Sequence, residues 1–160
     1  GGIPLMYLGD ERATTNDYSY RDDPKHKDDS RWAHRGEFDW QRAALRHDPD
    51  TVPGFMFTQL QRMIEIRKRT PALGRGSSTF FNTGNPHVLG FMRSGRVLVL
   101  ANFSEREQTI ERQNLLAFAP IDRPARDLLA ETDDPKADLL PQTVQLSAYA
   151  VQWWLFEGAY

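Results

Sequence analysis

The chain has 160 residues, 22 acidic and 20 basic side chains, and no cysteine. With 39% hydrophobic and 11% aromatic residues it can build a packed core, and it is not proline- or glycine-rich enough to be disordered. A net charge of −2 gives no basic field for nucleic acid, and no apolar run reaches the ~20 residues of a membrane span. The absence of cysteine excludes disulfides and thiolate metal sites but leaves the localisation open, cytoplasmic or secreted.

The first predicted element is a short buried strand at residues 4–8, which are almost continuously apolar and flanked by turn residues. Strands of this kind are typical of parallel sheets that are covered on both faces. Because the segments that follow offer no neighbouring strand, we expect that Gly1 is not a natural start. A processed N-terminus with an edge strand is the alternative. Without its neighbours the segment should be disordered, packed on the rest of the chain, or self-associated.

A long polar segment, residues 9–50, follows the strand. Structureless segments of this length are usually functional or disordered. Trp32, Phe38 and Trp40 argue against disorder, because disordered chains are poor in aromatic residues. We therefore expect an ordered, function-bearing loop with a short helix at 40–47.

A longer helix is predicted next. Asp50 or Thr51 can cap it, Pro53 suits its first turn, and the Thr70-Pro71 pair should end it. One face is expected to contain Met56, Leu60, Met63, Ile64 and Arg67. Strand, loop and helix together make one βα unit.

Beyond residue 75 the pattern changes to short strands. Ser94-Gly95 is a two-residue hairpin turn, and Asp133-Asp134-Pro135 marks another turn. Strands are expected at 77–81, 87–93, 96–103, 108–111, 126–129, 143–146 and 150–157. The predicted fold class is α+β, with the βα unit at residues 1–74 and an antiparallel sandwich at residues 75–160.

Two groups of polar residues are candidates for chemistry. Asp10 and Glu11 could be the acid and nucleophile of a glycosidase. Adjacent residues point in different directions, however, so we favour an interpretation in which they order the loop. The four histidines, at positions 26, 34, 47 and 87, have no metal-ligand spacing, and no metal or cofactor is expected.

The second group is the segment 28–35, Asp-Asp-Ser-Arg-Trp-Ala-His-Arg. The fork of an arginine can grip a carboxylate and still donate to sugar hydroxyls, and an indole can stack on a sugar. The alternative is a solvated run of charges in which Trp32 covers the rim of a barrel. Trp153-Trp154 is interpreted as one ring in the core and one at an interface rather than a sugar platform.

These motifs resemble a known family. Residues 1–11, GGIPLMYLGDE, resemble the eighth barrel strand of the α-amylase family of glycoside hydrolases, and DDSRWAHR resembles the following loop of amylosucrases and the similar sucrose hydrolases. Most other members carry a Thr-Pro-Met-Gln-Trp type segment there. Asn16-Asp17, Arg62-Met63-Ile64 with Arg67, and Asn102-Phe103-Ser104 also fit. The resemblance covers essentially the whole chain, loosely at 113–141.

The resemblance implies the last βα unit of a (β/α)₈ barrel and the C-terminal β domain of a larger enzyme. The parent would be a retaining glucosyltransferase that cleaves sucrose and transfers glucose to an α-glucan acceptor. The alternatives are a sucrose hydrolase or another glucosidase of the α-amylase family. The catalytic carboxylates of that family come from earlier strands, so no catalytic residue is assigned in this chain.

One substrate-binding residue carries over. Arg31 matches the arginine that pairs with an aspartate at the floor of the family's glucose pocket, and this partner would lie outside the chain, leaving Arg31 unpaired here. Asp17, Asp28 and Asp29 are candidates for ordering the loop. The competing hypothesis is a stand-alone glucan-binding or structural module that binds oligosaccharide through exposed aromatics such as Trp154.

Overall fold

The computed structural model describes residues 4–130 and 137–158. The chain divides by its contacts into two units, and the division falls between Ile64 and Glu65. The first three residues of the N-terminal motif and the expected turn at 133–135 lie outside the described residues. The domain boundary near residue 74 stays a prediction.

The unit up to residue 64 is made of short helices joined by turns. Residues 4–8 form no strand, and Leu5 is 93% exposed. The expected buried strand is therefore not formed, because a parallel strand needs hydrogen-bonded neighbours and the described residues offer it none. The elements are 3-10 helices at Asp10–Arg12, Ser19–Asp22, Ser30–His34 and Leu45–His47, helix α1 (Trp40–Ala44) and the first part of helix α2 (Val52–Arg69).

Helix α2 begins and ends where the sequence predicts. The Thr51 hydroxyl accepts a hydrogen bond from the Gly54 amide at 3.2 Å, which confirms it as the cap. A short helix, α3 (Pro71–Gly74), follows directly. The buried face differs from the expectation, since Ile66 is 1% exposed and Ile64 is 38% exposed. Ile66 lies near the C-terminal end of helix α2, where its side chain packs with Leu73 in an apolar cluster.

The unit from residue 65 contains two antiparallel sheets. Their strands are β1 (Ser78–Phe81), β2 (Val88–Arg93), β3 (Val97–Asn102), β4 (Gln108–Glu111), β5 (Ala125–Asp127), β6 (Thr143–Leu146) and β7 (Val151–Phe156). One sheet has five strands in the order β1-β2-β3-β7-β5, and the other pairs β4 with β6. The predicted α+β class with antiparallel sheets is confirmed.

The hairpin between β2 and β3 has the expected two-residue turn. Ser94 and Gly95 have φ angles of 53° and 65°, as a type I′ turn requires, and the Arg96 amide donates to the Arg93 carbonyl at 3.0 Å. This turn sets the register in which Val97 lies opposite Arg93.

Strand β3 lies in the middle of the large sheet and is buried on both faces. Leu98 and Leu100 pack in a cluster that also contains residues of the small sheet, such as Val144. Val97 and Val99 pack on the opposite face, in the cluster with Ile66 and Leu73. The continuous apolar run of β3 follows from this double coverage.

Candidate functional site

The turn after residue 8 is held by the two acidic residues that follow it. The Asp10 carboxylate accepts a hydrogen bond from the Tyr7 amide at 3.2 Å, and the Glu11 carboxylate accepts one from the Gly9 amide at 2.8 Å. Both bonds close a turn in which Gly9 has a φ of 110°. The prediction that Asp10 and Glu11 order the loop is confirmed.

Arg12 is a buried cation that the sequence analysis did not identify. The residue is 5% exposed, its guanidinium lies 3.6 Å from the centroid of the Phe38 ring, and it pairs with Glu11 at 3.3 Å. Arg42 donates to the carbonyls of Arg12 and Ala13 at 3.1 and 2.7 Å. Isolated arginines are normally exposed, so no sequence signal marks this one.

The charged loop that follows is tied together at its two ends. The Asp17 amide donates to the Ala33 carbonyl at 2.8 Å. The Asp17 carboxylate accepts a hydrogen bond from the Ser19 amide at 2.9 Å, and hydrogen bonds from Ser19 lower the pKa of Asp17. Asp17 therefore orders the loop, as predicted.

The interior of the loop is organised around Trp32. The ring of His26 lies 3.8 Å from that of Trp32, and the Arg35 guanidinium lies 5.5 Å from the same indole. The carboxylate of Asp23 lies 2.8 Å from the Nδ1 atom of His26. Trp32 is half-buried, and its role at a barrel rim stays a prediction.

Arg31 lies on the 3-10 helix Ser30–His34, with its side chain 73% exposed. Its Nε and Nη2 donate to the two carboxylate oxygens of Asp29, each at 2.8 Å. This bidentate pair lowers the pKa of Asp29 to about 2. The expectation that Arg31 is unpaired in this chain is wrong, because the carboxylate two residues earlier reaches it.

The acidic residues of the loop therefore have different roles. Asp29 also accepts a hydrogen bond from the Arg31 amide at 3.0 Å and caps the 3-10 helix. The neighbouring Asp28 is exposed, and its carboxylate makes no hydrogen bond within residues 4–130 and 137–158. The loop-ordering prediction is thus confirmed for Asp17 and Asp29, and Asp28 stays without an observed role.

A cleft of about 260 Å³ lies between the first turn and the end of the loop. The Tyr7 hydroxyl spans it by donating to the His34 carbonyl at 3.3 Å. Arg31 is not part of its wall. The wall consists of residues 7–10, 12, 14–16 and 33–38.

The remaining candidates have structural surroundings. His87 is exposed, as expected of a surface residue. Trp153 and Trp154 are half-buried and pack against two different core clusters, so neither is an open sugar platform. Within the part of the chain that the structure describes, no group of histidine and acidic residues is arranged to hold a metal, and no helix is both long and apolar enough to cross a bilayer.

No protein-family model matches the chain, but several solved structures share its fold. The trehalulose synthase MutB from Pseudomonas mesoacidophila MX-45 matches 72% of the chain with a TM-score of 0.50 and 21% identity. A MutB mutant in complex with sucrose matches 71% with a TM-score of 0.50 and 24% identity. An AmyP mutant in complex with maltotriose matches 71% with a TM-score of 0.54 and 15% identity.

The chain spans only 20%, 19% and 23% of the length of these three structures. At such identities the likeness concerns the fold alone. About 70% of the chain therefore shares its fold with about a fifth of each of these proteins.

Proposed function

We propose that the chain is the C-terminal part of a retaining glucosyltransferase of the α-amylase family that cleaves sucrose. Residues 1–74 would be the last strand, active-site loop and last helix of a (β/α)₈ barrel, and residues 75–160 the C-terminal β domain. The support is the amylosucrase-like loop motif at 28–35, together with the fold shared with enzymes whose structures hold sucrose or maltotriose.

The observation that carries the proposal is that Arg31 lies on a well-packed loop and exposes its side chain to solvent. The loop around it is closed by the bond between Asp17 and Ala33 and packed around Trp32, while the guanidinium itself extends into solvent. Such a side chain is suited to bind a carboxylate from another part of a sugar pocket and to fix the pocket floor.

In the proposed reaction, a carboxylate from the rest of the enzyme attacks the anomeric carbon of the glucosyl unit while an acid protonates the departing fructose oxygen. The β-glucosyl-enzyme is then attacked by an acceptor hydroxyl or by water, with net retention. No residue of this chain is given either catalytic role. Arg31 contributes by holding the floor of the glucose pocket in place.

The test is the product pattern of the complete protein that carries this chain, obtained by reading the gene upstream of Gly1. Incubated with sucrose and a maltooligosaccharide, it should release fructose and lengthen the oligosaccharide. Equal release of glucose and fructose would identify the sucrose hydrolase alternative, and isomeric disaccharides would identify an isomerase. Absence of sucrose turnover would contradict the proposal.

A stand-alone glucan-binding module predicts a different result. The 160-residue chain would then give measurable heat with maltoheptaose in a calorimetric titration. We expect no such heat, because the indoles of Trp153 and Trp154 are engaged in the core clusters.

A further inference from the structure

The guanidinium of Arg31 has two edges that can each receive a carboxylate. The side-on edge, formed by Nε and Nη2, is occupied by Asp29 with two bonds of 2.8 Å. The end-on edge consists of Nη1 and the second hydrogen of Nη2. Within residues 4–130 and 137–158, no acceptor hydrogen-bonds to Nη1, and the side chain is 73% exposed.

Asp29 is itself fixed to the backbone. Its Oδ1 accepts from the Arg31 amide at 3.0 Å as well as from Nε, so the same carboxylate caps the 3-10 helix and holds the side chain. An arginine on a surface loop otherwise samples many rotamers. The bond from Asp29 restricts that freedom and sets the direction of the end-on edge.

The charge of Asp29 is compensated by its neighbours. Segment 28–35 carries two aspartates and two arginines, so its formal charge is zero. Arg31 and Arg35 both act on Asp29 with a favourable coulombic interaction. The repulsion that Asp29 alone would exert on a second carboxylate is therefore reduced.

We propose that Asp29 is a positioning residue, which grips the side-on edge of Arg31 so that the end-on edge is presented to a second carboxylate. This inference rests on the proposed function, in which the second carboxylate belongs to the sugar pocket. It assigns to this chain a residue that acts on the pocket only through Arg31.

The decisive variant is Asp29→Asn, with Asp28→Asn as the matched control. Asparagine caps a helix as well as aspartate does, so the turn should survive, but its single oxygen cannot make the bidentate bond. In ¹⁵N NMR spectra of the 160-residue chain, Asp29→Asn should speed exchange of the Arg31 Nε proton at least tenfold. The NMR signal of the Arg31 backbone amide should shift little in Asp29→Asn. Asp28→Asn should change neither the Nε exchange nor the amide signal of Arg31.

Acetate then serves as the carboxylate probe, with chloride at equal ionic strength as the control. Acetate should shift the Arg31 Nη signals of the unmutated chain while the Nε proton keeps its slow exchange. If acetate instead moves the Nε signal to its position in Asp29→Asn, the two carboxylates compete for one edge, and the inference is wrong.

The complete enzyme provides the second readout. Asp29→Asn should lower kcat/KM for sucrose at least tenfold, mainly through KM, whereas Asp28→Asn should stay close to the unmutated value. Unchanged turnover in Asp29→Asn would overturn this inference and leave the proposed function standing. If the unmutated protein does not turn over sucrose, the proposed function fails, and the acetate titration alone decides the inference.

Discussion

At the scale of single residues, acidic side chains that are adjacent in the sequence have different contacts in the structure. Asp29 differs from Asp28 by one position, yet only Asp29 forms the bidentate pair with Arg31. Sequence reasoning selected Arg31 through the loop motif, but it did not foresee this partner. The reason is local geometry, since an Asx-type turn brings a carboxylate back to the residue two positions later.

The pair has a pH dependence that can be measured. The pKa of Asp29 is lowered to about 2, first by the hydrogen bonds from Arg31. Because the pKa is lowered in the folded state, the pair contributes fully to the free energy of unfolding above the ordinary value of 3.8. This contribution is lost as the pH falls through about 2. Carboxyl ¹³C NMR should show Asp29 titrating near that value, and Arg31→Gln should return it towards 3.8. Titration of Asp29 near 3.8 in the unmutated chain would contradict the pairing.

Asn102 makes several side-chain hydrogen bonds that the sequence does not predict. Its amide nitrogen donates to the carbonyls of Arg106, Leu146 and Ser147 at 2.7, 3.2 and 2.8 Å. The Oδ1 atom accepts from the Ser104 amide at 2.9 Å. One buried side chain thus joins the end of β3 to the end of β6.

Asn102→Ala should therefore lower the free energy of unfolding by about 2–3 kcal/mol, because buried carbonyls lose their donor. Urea denaturation measures this loss. Gln113→Ala, at an exposed position of the 3-10 helix Arg112–Leu115, is the control and should change stability by less than about 0.5 kcal/mol. Equal stability of the two variants would mean that Asn102 does not hold the strand ends together.

At the scale of elements, the strands after residue 75 could be predicted closely, whereas the segment at 4–8 could not. Alternating or continuous apolar runs and the Ser94-Gly95 turn are local signals, and their neighbours lie within the same chain. The apolar run at 4–8 signals burial with equal clarity, but burial depends on partner strands that the described residues do not supply. An apolar pattern indicates that a segment can form a buried strand, but it does not show whether neighbouring strands are present.

Helix α2 shows how one glycine fixes the start of an element. A Cβ on Gly54 would lie 1.9 Å from the Asp48 carbonyl oxygen, which is backbone and cannot rotate away. Gly54→Ala should destabilise the fold by about 1–3 kcal/mol despite the better helix propensity of alanine.

Gly74→Ala is the matched control for this substitution. It lies in helix α3, and nothing is within 4 Å of its added Cβ. Its stability in urea should equal or slightly exceed that of the unmutated chain. If Gly54→Ala were as stable as Gly74→Ala, the backbone would be able to move the added Cβ away from the Asp48 carbonyl without loss of stability, which contradicts this prediction.

At the scale of the whole molecule, the unit up to residue 64 exposes large apolar side chains. Leu5, Leu8 and Trp40 all lie open to solvent. Exposed apolar groups of this size promote association. The 160-residue chain should therefore show a sedimentation coefficient that rises with concentration, and replacing Leu5 and Leu8 with aspartate should reduce the rise. A single monomeric species from micromolar to millimolar concentration would contradict this expectation.

The same scale limits what the sequence reveals of the site. The motif at 28–35 pointed to Arg31, whereas the burial of Arg12 against Phe38 and the cleft beside it arise from contacts between distant parts of the loop. In the proposed function, the second carboxylate would come from outside the 160 residues, so no pattern in this sequence could identify it.

In the proposed function Arg31 holds the floor of a sucrose-binding pocket, and sucrose turnover by the complete protein carrying Arg31→Ala tests this role. Loss of one partner from a buried charge pair, which Arg31 would form inside the proposed pocket, typically costs about 2–5 kcal/mol, so kcat/KM should fall by about 30-fold or more while the fold stays intact. Arg31→Lys should also be impaired, because an ammonium cannot bind two carboxylates through a fork. An Arg31→Ala protein that keeps most of its sucrose turnover would contradict the account.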